Sequence, residues 1–157
     1  MALEIEVIIN GQQKVLTIEP YDLLIDVLRR EGYKSVKRGC SEGTCGTCTI
    51  ILNGRAVKSC ILLAAQAHKG SIVTVEGIGT RDQPHPLQQA FVEEGAIQCG
   101  FCIPGIILSA KALLDNNQSP TKEEVKQAMD GNLCRCTGYS GQIKAILSAA
   151  AMMRGEK

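Results

Sequence analysis

Residues 39–49 read Gly-Cys-Ser-Glu-Gly-Thr-Cys-Gly-Thr-Cys-Thr, which places Cys40, Cys45 and Cys48 in a C-x4-C-x2-C run, with Cys60 the next thiol along the chain. Gly39, Gly43 and Gly46 interrupt any helical or strand pattern, so the stretch is a loop. Its spacing is one by which four thiolates enclose a 2Fe-2S cluster. Such a cluster carries negative charge that a low-dielectric interior penalises, and glycines let backbone N–H groups approach and offset it. Ser41, Thr44 and Thr47 are candidate hydroxyl donors to sulfur, one of the levers on reduction potential. A structural zinc site usually draws its cysteines from two close CxxC pairs; the four-residue gap between Cys40 and Cys45 speaks against it. Lys37 and Arg38, just upstream, read as a solvated charged turn.

Outward from this loop the chain alternates. Leu3, Ile5, Val7 and Ile9 interleave with Glu4 and Glu6, Asn10-Gly11 is a type I′ turn signal, and Val15 to Ile18 completes a β-hairpin. After Pro20, Leu23, Leu24, Val27 and Leu28 share one helical face, and Gly32 stands where a helix stops. Downstream, residues 49–52 and 55–58 flank Asn53-Gly54 as a second hairpin that ends just before Cys60, and residues 72–75 form a last strand.

Between Gly77 and Pro86 the composition turns to Gly, Thr, Asp and Pro, and helical periodicity then replaces alternation. This is the expected boundary between a unit of residues 1–78 and an all-helical unit of residues 79–157. Helices are expected from Pro86 to about Glu94, over 105–115 behind Pro104, from the Thr121/Glu124 capping box to a stop at Gly131, and from about Gly141 with Ile143, Ile146, Leu147 and Ala150 on one stripe. The remaining thiols are Cys99, Cys102, Cys134 and Cys136. CxxC spacing also serves zinc sites and thiol-disulfide chemistry, so spacing alone leaves three uses open for this group. Expected helix ends beside both halves of the group offer free N–H groups to an anionic centre, and helical surroundings weaken a thioredoxin-like reading. Phe101 reads as a core side chain, and Arg135 as turned away from the metal.

Composition narrows the class. There are 157 residues, 17 basic and 16 acidic, with two Phe, three Tyr and no Trp. Mixed charges give no basic patch to neutralise phosphates and few rings to stack on bases, so nucleic acid is not an expected partner. Residues 1–10 lack the pattern of a signal peptide, and no apolar run approaches the ~18 residues of a membrane span, so a cytoplasmic chain outside the membrane is expected. A reducing compartment disfavours four disulfides and makes metal ligation the default use of the thiols.

The motif at 39–49, Gln-Cys-Gly-Phe-Cys-Ile-Pro-Gly at 98–105, and Gly-Asn-Leu-Cys-Arg-Cys-Thr-Gly-Tyr at 131–139 occur in order over nearly the whole chain. Together they resemble the iron-sulfur subunit of molybdenum hydroxylases, the xanthine dehydrogenase, aldehyde oxidoreductase and carbon monoxide dehydrogenase type. The resemblance implies an α+β chain: an N-terminal β-grasp plant-type ferredoxin domain, then a C-terminal four-helix domain, each with one 2Fe-2S cluster. Cys40, Cys45, Cys48 and Cys60 would hold the first cluster; Cys99, Cys102, Cys134 and Cys136 the second. It further implies a molybdenum-binding large subunit with a molybdenum-pterin cofactor, an FAD-binding medium subunit, and a dimer of heterotrimers. Electrons would leave the pterin through the helical-domain cluster, then the other cluster, to a flavin or another acceptor, with no substrate chemistry on this chain. Gln98 and Cys136 match the family's pterin contacts. Ile103 and Thr47 depart from the threonine and alanine frequent there. A free ferredoxin-like carrier, which would not need the helical half, and a zinc-stabilised interaction module are the competing functions.

Overall fold

The computed structural model describes residues 1–156. Strands β1 (Leu3–Ile9) and β2 (Gln12–Ile18) form an antiparallel hairpin in register from Leu3↔Ile18 to Ile9↔Gln12. Asn10 and Gly11 both take positive φ, 52° and 80°, as a type I′ turn demands. Strand β2 begins three residues ahead of the expected Val15, because edge pairing needs only backbone and Gln12 and Gln13 are exposed. Helix α1 (Leu24–Arg30) buries Leu24, Ile25, Val27 and Leu28 on the face where Ile5, Val7 and Ile9 point inward.

Strands β3 (Thr49–Leu52), β4 (Arg55–Lys58) and β5 (Ser71–Val73) complete a mixed sheet of order β2-β1-β5-β3-β4, in which only β1 and β5 run parallel. The last strand is shorter than the expected 72–75. Asn10 accepts from Thr74 N (2.8 Å) and donates to Thr74 Oγ1 (3.0 Å), which turns the chain into a 3-10 turn at Val75–Gly77. Two more such turns, Ser59–Ile61 and Ala64–Ala67, lie between β4 and β5; segments this short carry no period to read.

After the sheet come α2 (Pro86–Glu93), α3 (Ile103–Asn116), α4 (Lys122–Met129) and α5 (Ser140–Met153). They enclose a second core built around Leu87, Phe91, Ile106, Leu114, Val125 and Ile146. Helix α3 starts two residues before Gly105, with Pro104 inside its first turn, where no N–H partner is lost. Ile143, Ile146 and Ala150 are buried as expected, whereas Leu147 is only partly covered. Strand β3 is buried on both sides, with Ile50 in the sheet-helix core and α3 packed over its other face.

The capping box at α4 is formed: Glu124 N donates to Thr121 Oγ1 (3.2 Å) and Thr121 N to Glu124 Oε2 (2.6 Å). Thr121→Ala removes one side of it and should cost about 1 kcal/mol, roughly 2–4 °C in Tm for a chain of this size. Thermal unfolding followed by circular dichroism checks this, and an unchanged Tm would show that the cap contributes nothing.

Candidate metal centres

The first group assembles from the loop between α1 and β3, with Cys60 delivered by the 3-10 turn after β4. Cys48 and Cys60 are buried, Cys40 and Cys45 half-buried. The thiols meet in two pairs, Cys40 with Cys45 and Cys48 with Cys60. Backbone N–H groups of Glu42 and Cys45 converge on Cys40 and bring its pKa down to about 5. Burial, and then the neighbouring Cys48, push Cys60 up to about 11, against a backbone donor at Gly43. Gly43 turns with φ +82°, the left-handed conformation that glycine adopts without penalty. Gly39 acts through size: a Cβ there would lie 2.8 Å from Thr47 Oγ1 and 3.0 Å from Cys45 Sγ.

Among the hydroxyls, Thr47 lies 3.3 Å from Cys45 Sγ and Thr44 reaches Cys40. Ser41 does not join them. Its hydroxyl donates to the Cys40 carbonyl and accepts from Arg38, so the expected donor to sulfur is spent on the backbone.

The second group comes from the loop before α3, which carries Cys99 and Cys102, and the loop before α5, which carries Cys134 and Cys136. Cys99 and Cys136 are exposed with their sulfurs 3.6 Å apart, and Cys102, buried, meets the half-buried Cys134. The group therefore has an outer and an inner pair. Burial and then Cys134 push Cys102 up to about 11; at Cys134 burial also raises the thiol, but the hydroxyl and N–H of Thr137, the Cys136 N–H and Cys102 together bring it down to about 7. A backbone N–H at Phe101 lowers Cys99, while the hydrogen bond with Cys99 raises Cys136. In each of these pairs one thiol is thereby biased toward the thiolate, the form that ligates metal. Cys134 N donates to the Tyr139 hydroxyl at 2.6 Å, which fixes the loop's return into α5.

All eight thiols are free. Among the described residues no group of three or more His, Cys, Asp or Glu side chains closes on a single ion. The thiols meet two by two, with amides and hydroxyls aimed at the sulfurs, and two facing pairs are the donor set that a bridged pair of irons takes. The residues present fit a 2Fe-2S cluster in each group.

The two loops also clasp each other. Asn132, 2 % exposed, donates from Nδ2 to the Gly46 carbonyl (3.0 Å) and accepts from Ser109 (2.7 Å). Leu133 N donates to the Cys45 carbonyl at 2.9 Å. Thr49 Oγ1 bonds the Gly46 carbonyl (2.7 Å) and accepts from Lys58 Nζ (2.9 Å), whose ammonium loses pKa to burial and regains some from the nearby Cys48, Cys45 and Cys60. Lys37 is no solvated charge: it donates to the Gly100 and Phe101 carbonyls at 3.3 Å and lies 5.0 Å from the Phe101 ring centroid. Phe101, expected in the core, is 44 % exposed beneath that ammonium. Arg38 pairs with Asp26 at 2.5 Å, so it too has a partner. Arg135 and Gln98 are exposed. Asn132, Lys58 and Gln142, the last beside Cys102, escape a reading of the sequence that looks for ligands. Their signal is a polar side chain next to a ligand or on an apolar stripe.

Residues 7–72 match the model of a 2Fe-2S iron-sulfur cluster binding domain, and residues 74–147 match that of a 2Fe-2S binding domain. The chain is 54% identical over 132 residues to the nicotinate dehydrogenase small FeS subunit of Eubacterium barkeri, covering 83% of this chain and 84% of that one. It is 42% identical over 147 residues to the xanthine dehydrogenase iron-sulfur-binding subunit of Escherichia coli O157:H7, with 92% of each covered. Among solved structures, quinoline 2-oxidoreductase from Pseudomonas putida 86 superposes with a TM-score of 0.91 at 42% identity over 99% of both chains. The aldehyde oxidoreductase of Desulfovibrio desulfuricans gives 0.95 at 49% identity, over 98% of this chain but only 17% of that one.

Proposed function

The chain belongs to the iron-sulfur subunits of the molybdenum hydroxylase family, and on that premise we propose that it is the electron-transfer subunit of such an oxidoreductase, standing between a molybdenum-pterin subunit and a flavin or other acceptor. Cys40, Cys45, Cys48 and Cys60 hold one 2Fe-2S cluster in a β-grasp ferredoxin unit of residues 1–78. Cys99, Cys102, Cys134 and Cys136 hold the other in a four-helix unit of residues 79–157. Bound there, the clusters supply reversible one-electron storage. The chain's own residues hold the thiols in facing pairs, aim N–H groups at the sulfurs, and fix one loop against the other. Gln98 and Cys136, exposed on the rim of the second group, face the pterin of the large subunit, and an FAD-binding medium subunit completes a heterotrimer that pairs into a dimer in the cytoplasm. No helix among the described residues is long and apolar enough to cross a membrane.

The observation that carries this reading is the meeting of eight free thiols as four facing pairs in two places. Protein purified without oxygen should contain about four irons and four sulfides per chain, and dithionite should raise two distinct paramagnetic signals. Two irons, or zinc in place of iron, would reject it.

A further inference from the structure

Gln142 is wholly buried in the first turn of α5, beside Ile143 and Ile146 of the helical core. Its Nε2 lies 3.7 Å from Cys102 Sγ, and its Oε1 is buried without a partner. A metal-bound Cys102 sulfur only accepts, so on the ligand assignment the amide turns its NH2 toward it, and the carbonyl is left facing no donor. An unsatisfied buried carbonyl is destabilising, and an apolar side chain of similar size would avoid that cost on an otherwise apolar stripe. The arrangement is therefore held by what the NH2 does. Resting on the ligand assignment proposed above, we propose that Gln142 is a positioning residue that raises the reduction potential of the centre held by Cys99, Cys102, Cys134 and Cys136, through its N–H···S hydrogen bond to Cys102.

The physical sense is definite. On reduction one electron enters the centre and the sulfur ligands become more negative; the amide keeps both its protons. A donor aimed at one of those sulfurs binds the reduced form more strongly than the oxidised form, and burial keeps water from screening the difference. Because Gln142 touches a ligand of the second group, the effect belongs to that centre and alters the gap between the two centres.

The test is a dithionite titration of the full chain in its native complex, followed by paramagnetic resonance, for Gln142→Leu and Gln142→Met, both without an N–H donor. Each should lower the midpoint of the second-group centre by about tenfold in its reduction equilibrium, ~59 mV for a one-electron couple, and leave the first-group centre in place. Tm should hold or rise, since the orphaned carbonyl is gone. An unmoved midpoint in either variant that retains iron overturns the proposal, as does an equal shift of both centres, which would mark a global change in packing. Should both variants lose iron from the second group while Tm falls, Gln142 is structural and the proposal is again overturned. Wild-type protein with only one centre would instead refute the ligand assignment, so the two failures are told apart.

Discussion

Cys48→Ser should take the protein from about four irons per chain to about two, erase one paramagnetic signal and leave the other at its wild-type position. Cys48 is 1 % exposed and faces Cys60, so its loss strips one donor from a buried pair. Serine is a poor substitute because its hydroxyl does not ionise at neutral pH to match a thiolate. The second group shares no thiol with the first, and Cys102→Ser should give the mirror result. Iron analysis and spectroscopy of the two variants together check the claim. If either substitution alone removed both signals, the eight thiols would form one interdependent unit rather than two separate sites.

Gly46→Ala should be strongly destabilising for so small a change. Gly46 sits at φ +74°, and a Cβ there would fall 2.0 Å from the Gly131 carbonyl oxygen and 2.8 Å from Asn132 Cα. Neither is the end of a flexible side chain, so the two loops must part, and the bonds from Asn132 Nδ2 to Gly46 and from Leu133 N to Cys45 part with them. Left-handed backbone alone costs roughly 1–2 kcal/mol for a residue with a Cβ; with the clash and the broken buried bonds the loss should reach about 4 kcal/mol or more, about 8–16 °C in Tm. Gly54→Ala is the matched control: its φ is +80° and no atom lies within 4 Å of the added carbon. Equal shifts in the two variants would mean that the contact between the loops contributes nothing.

How far the sequence could be read follows from the range of each signal. The hairpin at Asn10-Gly11, the capping box at Thr121 and the apolar stripe of α5 are local patterns, and each forms where expected. The C-x4-C-x2-C run of the first group is legible for the same reason, whereas the spacing of the second group leaves its use open. What escaped notice depends on residues distant in the chain. Lys37 reads as a surface charge, yet the fold sets its ammonium against two carbonyls of the 99–102 loop and over the ring of Phe101, which lies half-exposed rather than in the core. Asn132 carries no signal of its own beside Cys134, and only the approach of Gly46 gives its amide a task. Gln142 was hidden for the opposite reason: helical periodicity sorts residues by face, and a single amide on an apolar face is averaged away.

The outer pair of the second group leaves a mark on the life of the polypeptide. Cys99 and Cys136 lie at the surface while Cys102 and Cys134 are sheltered behind them, so on the proposed placement against the large subunit a copy lacking that partner would present a bare rim to dioxygen and chelators. Reactive thiolates at an exposed edge oxidise before buried ones do. On that proposal surplus copies would be the perishable ones, and balanced synthesis of the subunits would follow as a demand from this chain's own surface.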